Sequence, residues 1–260
     1  MFAKIGAWLA LLVAAVSAGA ADYVAVPGAS LRSVLPPDGQ SAPANVAAFR
    51  LRTLPVTNGE FLAFVRAHPE WRRDRVAKVF ADRSYLRHWA RADALGAAAR
   101  AAQPVTYVSW FAANAYCKSE NARLPSWHEW ELSAAADASR TDAREDPAWR
   151  AKILSWYSRP SNDTLLPVGK TPANVYGAYD LHGLVWEWVE DFSGLMVSVD
   201  SREQGDPDLQ KFCGAGALSM QDRENYAVLM RVAMLSSLQA TYATSNLGFR
   251  CARSVPGASP

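Results

Sequence analysis

Hydrophobic and polar positions alternate along this chain with a period that keeps changing, and where the period holds it predicts elements. Over residues 54–65, Thr57 stands as a helix cap with Glu60 three residues later, a capping-box spacing, and Phe61, Phe64 and Val65 supply an apolar face. Residues 105–108 alternate as a short strand. Ser109 then caps a helix predicted over Trp110 to Asn121. Arg123-Leu-Pro-Ser126 interrupts, and Ser126 caps a second helix expected to run to Asp137, with Trp127, Trp130 and Ala134 on one stripe. A further helix fits Ala148 to Trp156, and Asn246 to Cys251 reads as a final strand. Residues 21–50, punctuated by Pro27, Pro36, Pro37 and Pro43, read as turns or short strands. Residues 66–103 show no assignable period, and Arg72, Arg73 and Arg75 within them read as a solvated face. There is no internal repeat and no regular strand–helix alternation, so an irregular α+β domain is expected rather than a doubly wound sheet.

The segment from Asn174 to Phe192 fits neither period. Gly177 and Gly183 break it into turns, and carboxylates at Asp180 and Glu187 are interspersed with Tyr176, Tyr179, Trp186, Trp188 and Phe192. Such a winding backbone needs something to hold it. Two carboxylates and intervening carbonyls are hard oxygen donors of the kind calcium takes. The alternative is that Asp180 caps a turn while Glu187 pairs with an arginine. Trp186 and Trp188 read as core.

Composition narrows the class. Half of the 260 residues are hydrophobic and a fifth charged, as in an ordinary globular domain. A formal charge of +2 with no basic stripe of interleaved aromatics argues against nucleic acid as a partner. Residues 1–20 have the layout of a secretory leader: Lys4, then an apolar run from Ile5 to Val16, then Ala18-Gly19-Ala20 as a small-residue cleavage site. That run is shorter than the roughly 20 residues a spanning helix needs. The expectation is a periplasmic or secreted protein, with residues 21–260 as a single domain in an oxidising compartment. Three cysteines, Cys117, Cys213 and Cys251, then imply one disulfide and one remaining thiol, with three pairings open.

Four blocks in order resemble the formylglycine-generating enzyme, or sulfatase-modifying factor, family. They are Pro55-Val-Thr-Asn-Gly-Glu-Phe61; Pro104 to Cys117 followed by Arg123-Leu-Pro-Ser-Trp-His-Glu-Trp-Glu131; Tyr176-Gly to Trp186-Glu-Trp188; and Ser245-Asn-Leu-Gly-Phe-Arg-Cys251. The resemblance implies an irregular, loop-rich, C-type-lectin-like α+β fold. It also implies a disulfide between Cys117 and Cys251, and a structural calcium held by Asp180, Gly183, Val185 and Glu187.

The same resemblance marks a departure. The family's enzymes hold copper with two cysteines shortly before the closing block, and a gap-free count places those positions on Asp222 and Ala227. Neither supplies a thiolate for Cu(I). The histidines His68, His88, His128 and His182 do not have the spacing of the family's iron-dependent branch. Candidate chemistry therefore gathers elsewhere. Cys213 lies in a Cys-Gly-Ala-Gly run, either as a redox or metal-binding thiol, with Met220, Met230 or Met234 as thioether donors for copper, or as an inert buried residue. Ser219 falls on a serine of the family's Gly-Gly-Ser turn. Asp222 or Glu224 would act as general base and Tyr226 as a proton or radical relay; the plain alternative is a charged loop. Arg231 would bind a carboxylate or peptide backbone, or form a structural ion pair. The expected function is oxidative maturation of a peptide, a protein or a peptide-derived small molecule by some route other than a copper dithiolate. The alternative is a non-catalytic, calcium-stabilised periplasmic binding or regulatory module.

Overall fold

A computed structural model describes residues 22–33, 43–157, 164–194 and 230–257, apart from 232 and 236. Among the described residues, short strands and helices surround one apolar core. Strand β1 (Tyr23–Val26) pairs antiparallel with β4 (Phe49–Arg52), placing Val26 opposite Phe49, and β4 pairs on its other side with β7 (Ala252–Ser254). Strands β2 (Ala29–Leu31) and β3 (Ala44–Val46) form a separate antiparallel pair. Strand β5 (Trp186–Glu187) runs parallel to β6 (Leu247–Gly248). The first and last parts of the described chain thus share one sheet. This is the irregular α+β architecture expected from the shifting period.

Three helices begin where their caps predict. Thr57 and Glu60 form the reciprocal capping box of α1 (Asn58–Ala67). Ser109 accepts from the Ala112 amide at the start of α2 (Trp110–Ser119). Ser126 and Glu129 make a second capping box for α3 (Trp127–Ala134). Helix α4 spans Pro147–Tyr157. Two helices stop earlier than their apolar pattern suggests. After α2, Asn121 takes a left-handed φ of 53° and the Ala122 amide returns to the Cys117 carbonyl, which closes the helix. After α3, Asp137 folds a turn instead, accepting from the Ser139 and Arg140 amides and from the Arg140 guanidinium.

Two strand expectations need correction. Residues 105–108 are not a regular strand, because Tyr107 has a φ of 53°. The Val105 amide reaches the Val56 carbonyl, while the Tyr107 amide turns to Thr244. The expected strand from Asn246 to Cys251 divides: β6 pairs with β5, and the chain then crosses to β7 beside β4.

Residues 66–103 acquire order from polar anchors rather than from periodicity. Buried Asn58 donates to the carbonyls of Arg100, Gln103 and Pro104 and accepts from Trp89 Nε1 at 3.0 Å. Arg73 is not simply a solvated residue, since its guanidinium donates to the Leu86 and Trp89 carbonyls. The core beside this loop is aromatic: Phe61 stacks on Tyr116 at 5.8 Å and meets Phe249 edge-on at 6.0 Å. Trp127, Trp130 and Ala134 are buried as a stripe, as predicted.

Candidate functional site

The segment from Asn174 to Phe192 crosses the face where α3 and the closing block meet. Its turns need unusual backbone. Asp180 lies at φ 57°, a region that Asp enters more readily than most residues. Gly183 lies at φ 85°, and a Cβ there would come within 2.7 Å of the Trp156 ring, so only glycine fits. The Asp180 carboxylate ties this turn to the preceding loop. It accepts from the Gly169 amide, from the Thr171 amide at 3.2 Å and from the Thr171 hydroxyl at 2.8 Å.

Glu187, on β5, is fully buried and lies at the centre of a charged network. Arg250 donates to both of its oxygens, through Nε at 3.0 and 2.9 Å and Nη2 at 2.8 Å. Trp130 Nε1 donates to Oε2 at 2.8 Å. The Arg250 guanidinium also reaches the carbonyls of Arg52, Thr53 and Tyr179. A buried carboxylate is tolerable only with this degree of pairing. The arginine pairing expected as the alternative for Glu187 is present.

A second cation lies against the same network. Arg231 is 1 % exposed, donates to the Glu187 carbonyl at 2.6 Å and sits 3.4 Å from the Trp130 ring centroid. A desolvated guanidinium over indole is a strong form of the cation–π contact. Arg231 therefore braces the scaffold in this arrangement rather than presenting its charge at the surface. His182 closes the cluster, with Nε2 2.7 Å from the Ala134 carbonyl and its ring packed between Trp149, Trp130 and Trp156. Burial, with Arg231 and Arg250 adding repulsion, pulls its pKa down to about 4, so it is neutral near neutral pH.

The four residues expected to hold calcium do not make a fitting donor set as they stand. Both oxygens of Glu187 already accept two hydrogen bonds each, and Arg250 already balances its charge. Asp180 and Gly183 line a cleft of about 240 Å³ with Trp156, Lys170, Thr171 and Leu184; Val185 and Glu187 do not line it.

The other expected site residues divide in two. Cys117 and Cys251 are joined, with Cα atoms 5.5 Å apart, as the resemblance implied. Cys213, Ser219, Met220, Asp222, Glu224 and Tyr226 lie outside the described residues, as do the expected leader, Pro36 and Pro37. Met230 and Met234 are described; Met230 is partly exposed and Met234 packs against the core. Trp188 is buried and donates to the Val108 carbonyl, whereas Trp186 is only partly buried. Sequence reasoning missed the roles of Arg250 and Arg52. Arg52 is buried, donates to the Tyr116 hydroxyl and to Glu120, and pairs with Glu60. The usable signal was an arginine between two apolar residues in Gly-Phe-Arg-Cys, a pattern that calls for a buried acid nearby.

The family profile for the sulfatase-modifying factor enzyme 1-like domain matches residues 13–255. The chain is 32 % identical to the formylglycine-generating enzyme of Streptomyces coelicolor over 187 residues, which is 64 % of this chain and 58 % of that protein. It is 30 % identical to the Mus musculus formylglycine-generating enzyme over 175 residues, 59 % of this chain and 45 % of that one. It is also 30 % identical to the Mus musculus inactive C-alpha-formylglycine-generating enzyme 2 over 168 residues, covering 58 % and 49 %. The chain thus spans about half the length of the curated relatives it matches. With a profile match over most of its length and the Cys117–Cys251 link in place, this chain belongs to the sulfatase-modifying factor, or formylglycine-generating enzyme-like, domain family.

Proposed function

We propose that this protein is an exported maturation factor that oxidises a peptide or protein substrate by a route other than a copper dithiolate. One observation carries the second half of that statement. The chain has three cysteines, and two of them are consumed by the Cys117–Cys251 disulfide. A single thiol, Cys213, remains, so one chain has no pair of thiolates with which to grip Cu(I). The first half rests on the family and on the polar run from Asp222 to Tyr226, which follows Cys213 and Ser219 where the gap-free count puts the relatives' reacting residues. In this reading Asp222 or Glu224 takes a proton and Tyr226 relays one. Copper, if used, would be held by Cys213 and Met220. Periplasmic or secreted placement follows from the leader-like residues 1–20.

The test is oxygen uptake and mass change of cysteine-containing peptides and of candidate exported proteins, with Cys213→Ser, Asp222→Asn and Tyr226→Phe in parallel. Activity that falls at least tenfold in these variants supports the proposal. Activity unchanged in all three overturns the assignment. A Cu(I) titration of wild type against Cys213→Ser separately decides the copper version, which fails if the two proteins bind alike.

A second reading, a non-catalytic periplasmic binding or regulatory module, is favoured by one specific observation. Arg231, expected near the substrate, is buried against Glu187 and Trp130. A stoichiometric complex with an exported protein, formed without oxygen uptake, would select this reading.

A further inference from the structure

Between residues 71 and 91 the chain carries seven Lys and Arg against two Asp, a local excess that a whole-chain charge of +2 conceals. Both acids are occupied: Asp74 pairs with Arg72 at 2.9 Å, and Asp82 accepts from the Ser84 and Ala243 amides. Several of the cations are occupied too. Arg72 takes Asp74 and Asp93, Arg73 caps two carbonyls, and Arg87 lies over the Tyr107 ring. Arg75, Lys78 and Arg83 are different. They are exposed, and among the described residues none of their side chains makes a hydrogen bond or a close ion pair, Arg75 adding only to the field around Asp74.

Between Lys78 and Arg83 in the chain stand Val79, 66 % exposed, and Phe80, 41 % exposed. Their exposure is built in. Phe80 packs against Trp71 at 5.9 Å and Phe111 at 5.3 Å, and Phe111 meets Trp110 edge-on at 5.5 Å. Trp110 is fixed by its hydrogen bond to the Val189 carbonyl. The backbone is pinned as well, since the Phe80 amide reaches Ala77 and the Asp82 amide reaches Thr241. An exposed apolar centre already held in place loses little conformational entropy when covered, and exposed cations beside it in the chain favour a partner of opposite charge.

We propose that the surface formed by Val79 and Phe80, flanked in the chain by Arg75, Lys78 and Arg83, docks an acidic segment of a partner protein that carries apolar side chains. The details favour a polypeptide. The more exposed of the two central residues is aliphatic, whereas a platform for nucleic-acid bases leads with rings. Phe80 is set into the surface by Trp71 and Phe111 rather than projecting from it as a membrane wedge would. The surface functions whether or not the protein catalyses, so its failure would leave the proposed oxidation untouched.

The experiment is fluorescence anisotropy with a labelled peptide alternating Glu with Leu and Phe, against a matched peptide with Lys for Glu, a labelled oligothymidylate, and vesicles containing anionic lipid. The acidic peptide should bind saturably, and tighter than the lysine peptide. Two variants should each weaken it by about tenfold or more: Val79→Ser with Phe80→Ser, and Lys78→Glu with Arg83→Glu. The charge variant alters only exposed side chains, so folding is not at issue, and its melting point and disulfide serve as checks. Peptide affinity unchanged in the charge variant overturns the proposal. So does stronger binding to oligothymidylate or to vesicles than to the acidic peptide.

Discussion

Phe249 and Cys251 pack to one side of the closing segment and Arg250 to the other, and the two sides are held by different physics. On the first side Phe249 meets Phe61 and Tyr116 edge-on, and Cys251 is bonded to Cys117. That region is stabilised by burial, dispersion and one covalent link, so its losses are graded. On the other side Arg250, Glu187, Arg231 and Trp130 share one buried network. There Glu187 and Arg250 depend on each other, because removing either leaves an uncompensated charge away from water.

The apolar side should give the largest effect when its covalent link is cut. The disulfide spans a sequence separation of 134 residues. Closing so long a loop removes about 4–5 kcal/mol of chain entropy from the unfolded state, an upper figure for what is measured. Cys117→Ala with Cys251→Ala should therefore lower the urea midpoint strongly while leaving the far-ultraviolet circular dichroism of the folded form unchanged. A shift equal to that of a single surface substitution would show that the aromatic packing alone holds the two segments together.

The charged side comes next. Glu187→Gln strands the Arg250 guanidinium in the interior and should cost about 3–5 kcal/mol. Arg250→Met strands a carboxylate and should cost a similar amount. The double variant, Glu187→Leu with Arg250→Met, should cost clearly less than the two single costs added, as a double-mutant cycle would measure. Strict additivity would mean that the pair is not coupled, and the contrast between the two sides would disappear.

A smaller effect separates the sides by pH. His182 titrates in the folded state at about 4, below its ordinary 6.5, because it is buried beside Arg231 and Arg250. A folded pKa below the unfolded one means that the unfolded chain binds the proton more readily. Stability from this group is complete above about pH 6.5 and is lost as pH falls toward about 4, by on the order of 2–3 kcal/mol. His88 is pulled down to about 4 as well, by burial and by Arg73 and Arg87, so the pH profile of the wild type alone is ambiguous. His182→Gln should flatten the part of the profile that belongs to the charged side. An unaltered slope between about pH 6.5 and about pH 4 would remove His182 from that network.

How much of this was legible in the sequence depends on the range of the interaction. Caps are local, and Thr57, Ser109 and Ser126 each start a helix as the spacing predicts. Helix ends were less legible, because they are set by a left-handed Asn121 and an Asp137 turn that the apolar stripe does not encode. The disulfide was legible only through resemblance, since three cysteines alone permit three pairings. The loop from 66 to 103 was opaque because Asn58 and Arg73 organise it by bonds to distant carbonyls, which leave no period behind. At the site, both readings of Glu187 were visible, but choosing between them required knowing that Arg250 crosses 63 residues to reach it.

That choice leads to the smallest expected effect. If calcium were held by Asp180, Gly183, Val185 and Glu187, it would stabilise the folded state by mass action, and removing it would lower the melting point. For Glu187 to serve, it would have to release Trp130 or Arg250, and Arg250 would then lie buried without its counter-ion. Asp180 would likewise have to loosen its hold on Thr171 and Gly169. The coordination energy would be offset by the loss of a network already satisfied. Chelation should accordingly leave the melting point of the wild type unchanged, and added calcium should not raise it. A rise with calcium that vanishes in Glu187→Gln would show that the metal displaces Arg250, and that the charged side of the closing segment has two states rather than one.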